Sequence, residues 1–106
     1  MNAQYEQEKV DSFSKPSSRK IINNWVANNN TIGIEFGFST WYNHVEDNTV
    51  EKNVSGIYSN QASYNKIKRN VVRNNSSNGI YITWGDGVEV TQNSLNNNNL
   101  PETCSH

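Results

Sequence analysis

The sequence predicts an all-β chain, a solenoid of about four coils in which three short strands per coil stack in parallel on their equivalents in the next. Three observations predict it. An asparagine followed two places later by an aliphatic residue recurs as Asn24-Trp-Val26, Asn48-Thr-Val50, Asn70-Val-Val72 and Asn93-Ser-Leu95, at steps of 24, 22 and 23 residues. A Gly-Ile pair recurs as Gly33-Ile34, Gly56-Ile57 and Gly79-Ile80, at steps of 23 and 23. The 106 residues include 20 asparagines and only two leucines, so β-branched side chains do most of the apolar work, which favours short extended segments with polar corners over amphipathic helices. A fixed period in this range marks units that bury an apolar position only by stacking on one another.

In chain order, residues 1–18, with Ser12, Ser14, Pro16, Ser17 and Ser18, read as a linker or loosely ordered lead-in. Residues 19–99 hold the coils. One strand of each coil surrounds Val45, Ile67 and Val90, a second surrounds Val50, Val72 and Leu95, and a third starts at the Gly-Ile pair. Two further columns support the alignment: Ile21, Val45, Ile67 and Val90 stand three places before the anchor asparagines, and Asn29, Asn53, Asn75 and Asn98 five places after them. Asn78-Gly79 has the form of a two-residue hairpin turn, but Gly79 shares its column with Gly33 and Gly56 and is placed in the repeat. The corners are expected to carry the asparagines, whose side chains bond nearby backbone and tolerate left-handed conformations. Trp25 and Trp41 are expected at core edges. Residues 100–106 read as a polar tail, with Cys104 a free surface thiol because the sequence offers it no second cysteine.

Stacking also predicts charge pairs across coils. The alignment sets Glu46 over Lys68, Asp47 over Arg69, Glu51 over Arg73 and Lys66 over Glu89, opposite signs in every case, as cross-strand pairing favours. His44 falls in the column of Lys20, Lys66 and Glu89 and is read as an exposed loop histidine. The other histidine is His106, so no metal site is expected. A net charge of −1 provides no basic stripe for nucleic acid, and no apolar run approaches a membrane span. The N-terminal stretch lacks the apolar segment of a secretory signal. At 33% hydrophobic the core is thin, and a solenoid of four coils leaves an apolar cross-section at each end. The chain is therefore expected to be a fragment of a longer helix or to associate end to end.

The run Asn48-Thr-Val50-Glu-Lys-Asn53-Val-Ser-Gly56-Ile57, repeated as Asn70-Val-Val72-Arg-Asn-Asn75-Ser-Ser-Asn-Gly79-Ile80, resembles the repeat of right-handed parallel β-helix proteins. These include pectate lyases, polygalacturonases, alginate epimerases and NosD-type periplasmic proteins associated with copper-site maturation. The resemblance implies an asparagine ladder at Asn24, Asn48, Asn70 and Asn93, and an extracellular or periplasmic location. The catalytic signatures of the family enzymes are missing: residues 19–99 hold no proline, and Asp47 and Asp86 are their only aspartates. No cofactor is expected, and no catalytic residue is assigned.

With Ile34, Ile57 and Ile80 pointing inward, Glu35, Tyr58 and Tyr81 point outward as a stack, followed by Gly37, Asn60 and Thr83. Phe38, Gln61 and Trp84 come next at the corner. In the enzymes this chain resembles, a saccharide groove runs along this face. An aromatic wall edged by Glu35, Asn60, Thr83, Trp84 and Asp86 suits sugars, because rings cover apolar C–H faces while polar groups take hydroxyls. Two functions follow: a carbohydrate-binding or carbohydrate-processing module that takes a polysaccharide, or a non-catalytic structural segment of a surface or adhesin-like protein.

Overall fold

The computed structural model describes residues 3–6, 20–36 and 41–105, so Gly37 and Phe38 of the expected surface lie outside the described residues. A first strand, β1 (Ala3–Glu6), precedes four triplets. They are β2 (Lys20–Ile22), β3 (Asn24–Ala27) and β4 (Ile32–Phe36); β5 (His44–Glu46), β6 (Thr49–Glu51) and β7 (Ser55–Asn60); β8 (Lys66–Lys68), β9 (Val71–Arg73) and β10 (Asn78–Thr83); and β11 (Glu89–Thr91), β12 (Ser94–Asn96) and β13 (Leu100–Ser105). Each strand pairs in parallel with its equivalent one coil away. Sheet A is ordered β1-β3-β6-β9-β12, sheet B β4-β7-β10-β13 and sheet C β2-β5-β8-β11. The chain is a parallel β-helix with three strands per coil.

The register is the one that the repeat dictates. Val26, Val50, Val72 and Leu95 form one column in sheet A, Ile34, Ile57 and Ile80 another in sheet B, and Ile21, Val45, Ile67 and Val90 a third in sheet C. In these columns Val45, Val50, Ile57, Ile67, Val72 and Ile80 are fully buried, and each contributes about 1.5–3 kcal/mol relative to exposure. Ile21, Val90 and Leu95, nearer the ends, are partly covered.

Close stacking explains the glycine column. A Cβ on Gly56 would lie 2.5 Å from the carbonyl oxygen of Gly79 and 2.7 Å from Val72 Cγ1, so a side chain at that point would push the coils apart. Gly79 itself lies inside β10 and belongs to the repeat, not to a hairpin.

Two asparagine ladders run along the corners that flank sheet A. Asn70 Oδ1 accepts from the Asn48 backbone N–H and from Asn48 Nδ2, both at 3.0 Å. Asn70 Nδ2 in turn donates to Val45 O at 2.9 Å and to Asn93 Oδ1 at 3.0 Å. Asn24 donates its backbone N–H to Asn48 Oδ1, which extends the ladder to the first coil. The second ladder, Asn29-Asn53-Asn75-Asn98, repeats this pattern between sheets A and B. In the first three coils these side chains are buried, and in the last half-buried, because a corner this tight leaves backbone N–H groups that no strand can pair.

The corners differ from expectation in one respect. The residues in left-handed conformation are not the ladder asparagines but the residues immediately before them: Asn23, Asp47, Arg69 and Gln92 in one column, and Asn28, Lys52, Asn74 and Asn97 in the other, with φ between 55° and 64°. Half of these eight are asparagine, and the others are Asp47, Arg69, Gln92 and Lys52. The ladder hydrogen bonds hold the turn, and whichever residue stands outside it is forced through φ > 0.

Both ends carry strands beyond residues 19–99. Ala3–Glu6 pairs with Asn24–Ala27, and Leu100–Ser105 pairs with β10. Cys104 lies in that last strand at the register position of buried Ile82, not in an irregular tail.

Candidate functional site

Sheet B brings the expected outward column together. Glu35 is in register with Tyr58 and Tyr58 with Tyr81, one coil apart. All three are half-buried, and the two tyrosine rings stack with centroids 5.1 Å apart and planes inclined by 12°. Rings stacked along the helix axis turn faces to each other and present their edges and hydroxyls outward. One position on, Thr83 Oγ1 donates to Asn60 Oδ1 at 3.2 Å, which leaves Thr83 only 8% exposed. Trp84 and Asp86 follow at the corner between sheets B and C. Trp84 is 62% exposed, the most open large apolar side chain among the described residues, and it is held there by a left-handed backbone at φ 48°.

The charged residues form a separate network on sheets A and C. Arg69 reaches Asp47 Oδ1 through Nε and Glu46 Oε1 through Nη2, each at 2.9 Å. Glu46 also takes His44 Nδ1 at 2.7 Å. The partner of Glu46 is thus Arg69 in the adjacent column and not the register-matched Lys68, because the guanidinium fork spans two carboxylates where an ammonium spans one. His44 stands in strand β5, half-buried and bonded, and is not a loop residue. Hydrogen bonding to His44, together with Arg69, holds the Glu46 carboxyl below the usual glutamate range. The Arg69 hydrogen bond does the same for Asp47. Burial pushes Glu51 up, but the bonds from Arg73 Nε at 2.9 Å and from the Trp25 indole N–H at 2.6 Å, with the charge of Arg73, leave it lowered overall. Carboxylates held ionised in this way serve cohesion between coils and are poor proton donors.

Two features escaped sequence reasoning. Tyr42 and Tyr64 stack at the corner between sheets B and C, with centroids 5.4 Å apart and planes inclined by 12°. They are 52% and 49% exposed, and Trp41 beside them is 39% exposed. The signal was available as aromatics 22 residues apart, but the column is broken at its third member, Gly87. The second feature is a shallow cleft of about 340 Å³ at the corner between sheets A and B, lined by Asn30, Lys52, Val54, Asn74 and Ser76. It lies at the opposite end of the sheet B strands from Trp84.

Comparison with curated proteins and with solved structures gives no match. A family profile described as periplasmic copper-binding protein (NosD) matches residues 8–104, most of the chain and all four triplets except the end of the last strand. With the stacked parallel coils and asparagine ladders described above, that match shows the family: the chain belongs to the periplasmic copper-binding protein (NosD) family.

Proposed function

We propose that this chain is a non-catalytic binding module of the periplasm or the cell exterior that lays an extended polysaccharide along the outward side of sheet B. The observation that carries the reading is Trp84, an indole 62% exposed at the corner just past the strand that carries Tyr81. An open indole face suits the C–H face of a sugar, while the Tyr58 and Tyr81 hydroxyls, Glu35, Asn60, Thr83 and Asp86 supply partners for its hydroxyls. The family description supports the compartment.

The same description names copper, which prefers thiolate, thioether and imidazole donors. Among the described residues no group of three His, Cys, Asp or Glu side chains converges on one point. His44 has Nδ1 committed to Glu46 and stands in register between Lys20 and Lys66. The described residues do not fit a copper site, and no step through copper is derived.

Titration with uronate-containing and neutral polysaccharides, followed by tryptophan fluorescence, tests the reading. The parent chain responds, and Trp84→Ala and Tyr81→Ala lose the response. A parent that ignores every glycan, or variants that bind as well as it does, would leave the second reading, a structural coil segment. That reading has its own support: the tyrosine rings face each other, Thr83 bonds Asn60, and Glu46, Asp47 and Glu51 are paired with arginines.

A further inference from the structure

We infer that Asn78-Gly79 is a latent modification site, an asparagine that converts to aspartate and isoaspartate without an enzyme whenever strand β13 lets go of β10. Water is the only co-reactant. The lone pair of the Gly79 backbone nitrogen attacks Asn78 Cγ and closes a cyclic imide, and the electron pair of the Cγ–Nδ2 bond leaves with ammonia, which takes the Gly79 proton. Water then opens the imide at either carbonyl, to aspartate or to isoaspartate. Glycine favours the closure because it has no Cβ to obstruct the approach of its nitrogen. The stack requires glycine at the same place: a Cβ on Gly33 would lie 2.8 Å from the carbonyl oxygen of Gly56, and one on Gly56 2.5 Å from that of Gly79. Ile32 and Ser55 precede those two glycines, and Asn78 precedes Gly79.

The closed coil blocks the reaction. Asn78 opens strand β10, and extended backbone with ψ of about +115° turns the following nitrogen away from the side chain that it would attack. The strand that holds Asn78 extended is β13. Register between β7 and β10 begins at Ile57 and Ile80, whereas β13 sets Leu100 opposite Asn78, and the Leu100 N–H donates to Ser77 O at 3.1 Å. β13 is also the end strand of sheet B, with β10 as its one neighbour, and Leu100 is 49% exposed. A strand at the end of a stack opens at lower free energy than the strands inside it. The guard of Asn78 is therefore the first strand of the sheet to leave. Isoaspartate carries the main chain through the former side-chain carbon, so one extra atom enters β10 ahead of Ile80. That misaligns the pairing which sets Tyr81 beside Tyr58 and Thr83 beside Asn60.

The inference is independent of glycan binding and is tested without a ligand. The parent, Leu100→Pro and Asn78→Ser are held in mildly alkaline buffer, and peptide mapping by mass spectrometry follows conversion at residue 78. The folded parent converts far more slowly than the same chain in unfolding urea. Leu100→Pro removes the N–H that Ser77 O accepts and converts about tenfold faster than the folded parent, the rise in open population that loss of a backbone hydrogen bond gives. Asn78→Ser gives no product in that peptide, which fixes the assignment. Circular dichroism confirms that each variant is folded. If Leu100→Pro does not fold, a urea series on the parent decides: conversion rises at concentrations below the unfolding transition, because β13 opens before the stack does. A folded parent that converts as fast as the unfolded chain overturns the inference. So does a folded Leu100→Pro that converts no faster than the parent, or conversion that rises only together with global unfolding.

Discussion

The corners flanking sheet A and the corner between sheets B and C solve the same problem in opposite ways. All three must turn the chain through a left-handed residue. At the first two, a ladder asparagine from each coil bonds the next, and the outer residue is asparagine in half the cases and otherwise Asp47, Arg69, Gln92 or Lys52. At the third, Asn43 donates to Asn65 Oδ1 at 3.0 Å, but the ladder has passed to Val88 by the following coil. The outer column there is Tyr42, Tyr64 and Gly87. Where hydrogen bonding closes the turn completely, the surface is free of sequence demands. Where the ladder stops, the corner carries exposed, stacked aromatics instead.

The comparison breaks first at the ladder. Asn70→Ala removes the acceptor of the Asn48 backbone N–H and the donor to Val45 O, both inside the stack. Two buried groups orphaned at 1–3 kcal/mol each give a loss of roughly 3–5 kcal/mol. Urea unfolding should show the midpoint collapse. An Asn70→Ala chain within about 1 kcal/mol of the parent would mean that the ladders do not hold the corners.

Two glycines sharpen the contrast at a smaller scale. In Gly56→Ala the new Cβ meets the Gly79 carbonyl at 2.5 Å, a backbone wall that cannot yield without separating coils, for a cost of about 1–3 kcal/mol. In Gly87→Ala the Cβ meets the Tyr64 ring at 2.5 Å, and that ring can swing outward. The remaining cost is the left-handed backbone at φ 62°, about 1 kcal/mol. Thermal denaturation of the pair should rank Gly56→Ala as the more damaging, and the reverse order would make the aromatic corner the rigid one.

How much of this was legible follows from what repeats. The columns of Val50 and Val72, of Ile57 and Ile80, and of the two ladders were readable because every coil states them. The left-handed residues were only half legible, since asparagine fills four of the eight outer positions and Asp47, Arg69, Gln92 and Lys52 fill the rest: the ladder bonds impose φ > 0 on whatever stands outside. Strand β1 was missed because Ala3 stands where the other coils have asparagine, and β13 because Pro101 and Glu102 stand where the repeat has Gly-Ile and a proline argues against a strand. The Glu46 partner was missed because register names the residue opposite, while an arginine side chain reaches diagonally. In the candidate site, the Glu35-Tyr58-Tyr81 column followed from strand alternation, but ring orientation and the Tyr42 and Tyr64 stack depend on corner geometry that alternation does not describe.

Charge pairing near the ladder gives a milder effect that acid can switch. Glu46, Asp47 and Glu51 all titrate below their ordinary values of 4.5, 3.8 and 4.5 in the folded chain. A depressed folded pKa contributes stability that is present above the ordinary value and lost as pH falls through the folded one. Stability should therefore be level above about pH 5 and decline from there down through pH 4 and below, with a shallower decline in Arg69→Gln. Arg69 and Asp47 are solvent-exposed enough that salt screens them, so the contribution of this pair should shrink in high salt. Unfolding midpoints at pH 6 and pH 3.5, in low and high salt, check both statements, and a pH-independent parent would remove the network from the account.

The smallest expected change is the most informative for the aromatic corner. Tyr64→Gly loses the stack on Tyr42, worth about 0.5–1.5 kcal/mol. It also frees a residue held at φ 57°, where a side chain costs about 1–2 kcal/mol and glycine nothing. The added flexibility of the unfolded chain takes back about 0.4–1 kcal/mol. These contributions nearly cancel, so the melting temperature should move little in either direction. A tyrosine half exposed to water that can be deleted without harm is kept for contact with something outside the fold. If Tyr64→Gly instead destabilised the chain as much as Asn70→Ala, the tyrosine stack would be a third ladder in aromatic form, and the two kinds of corner would be one.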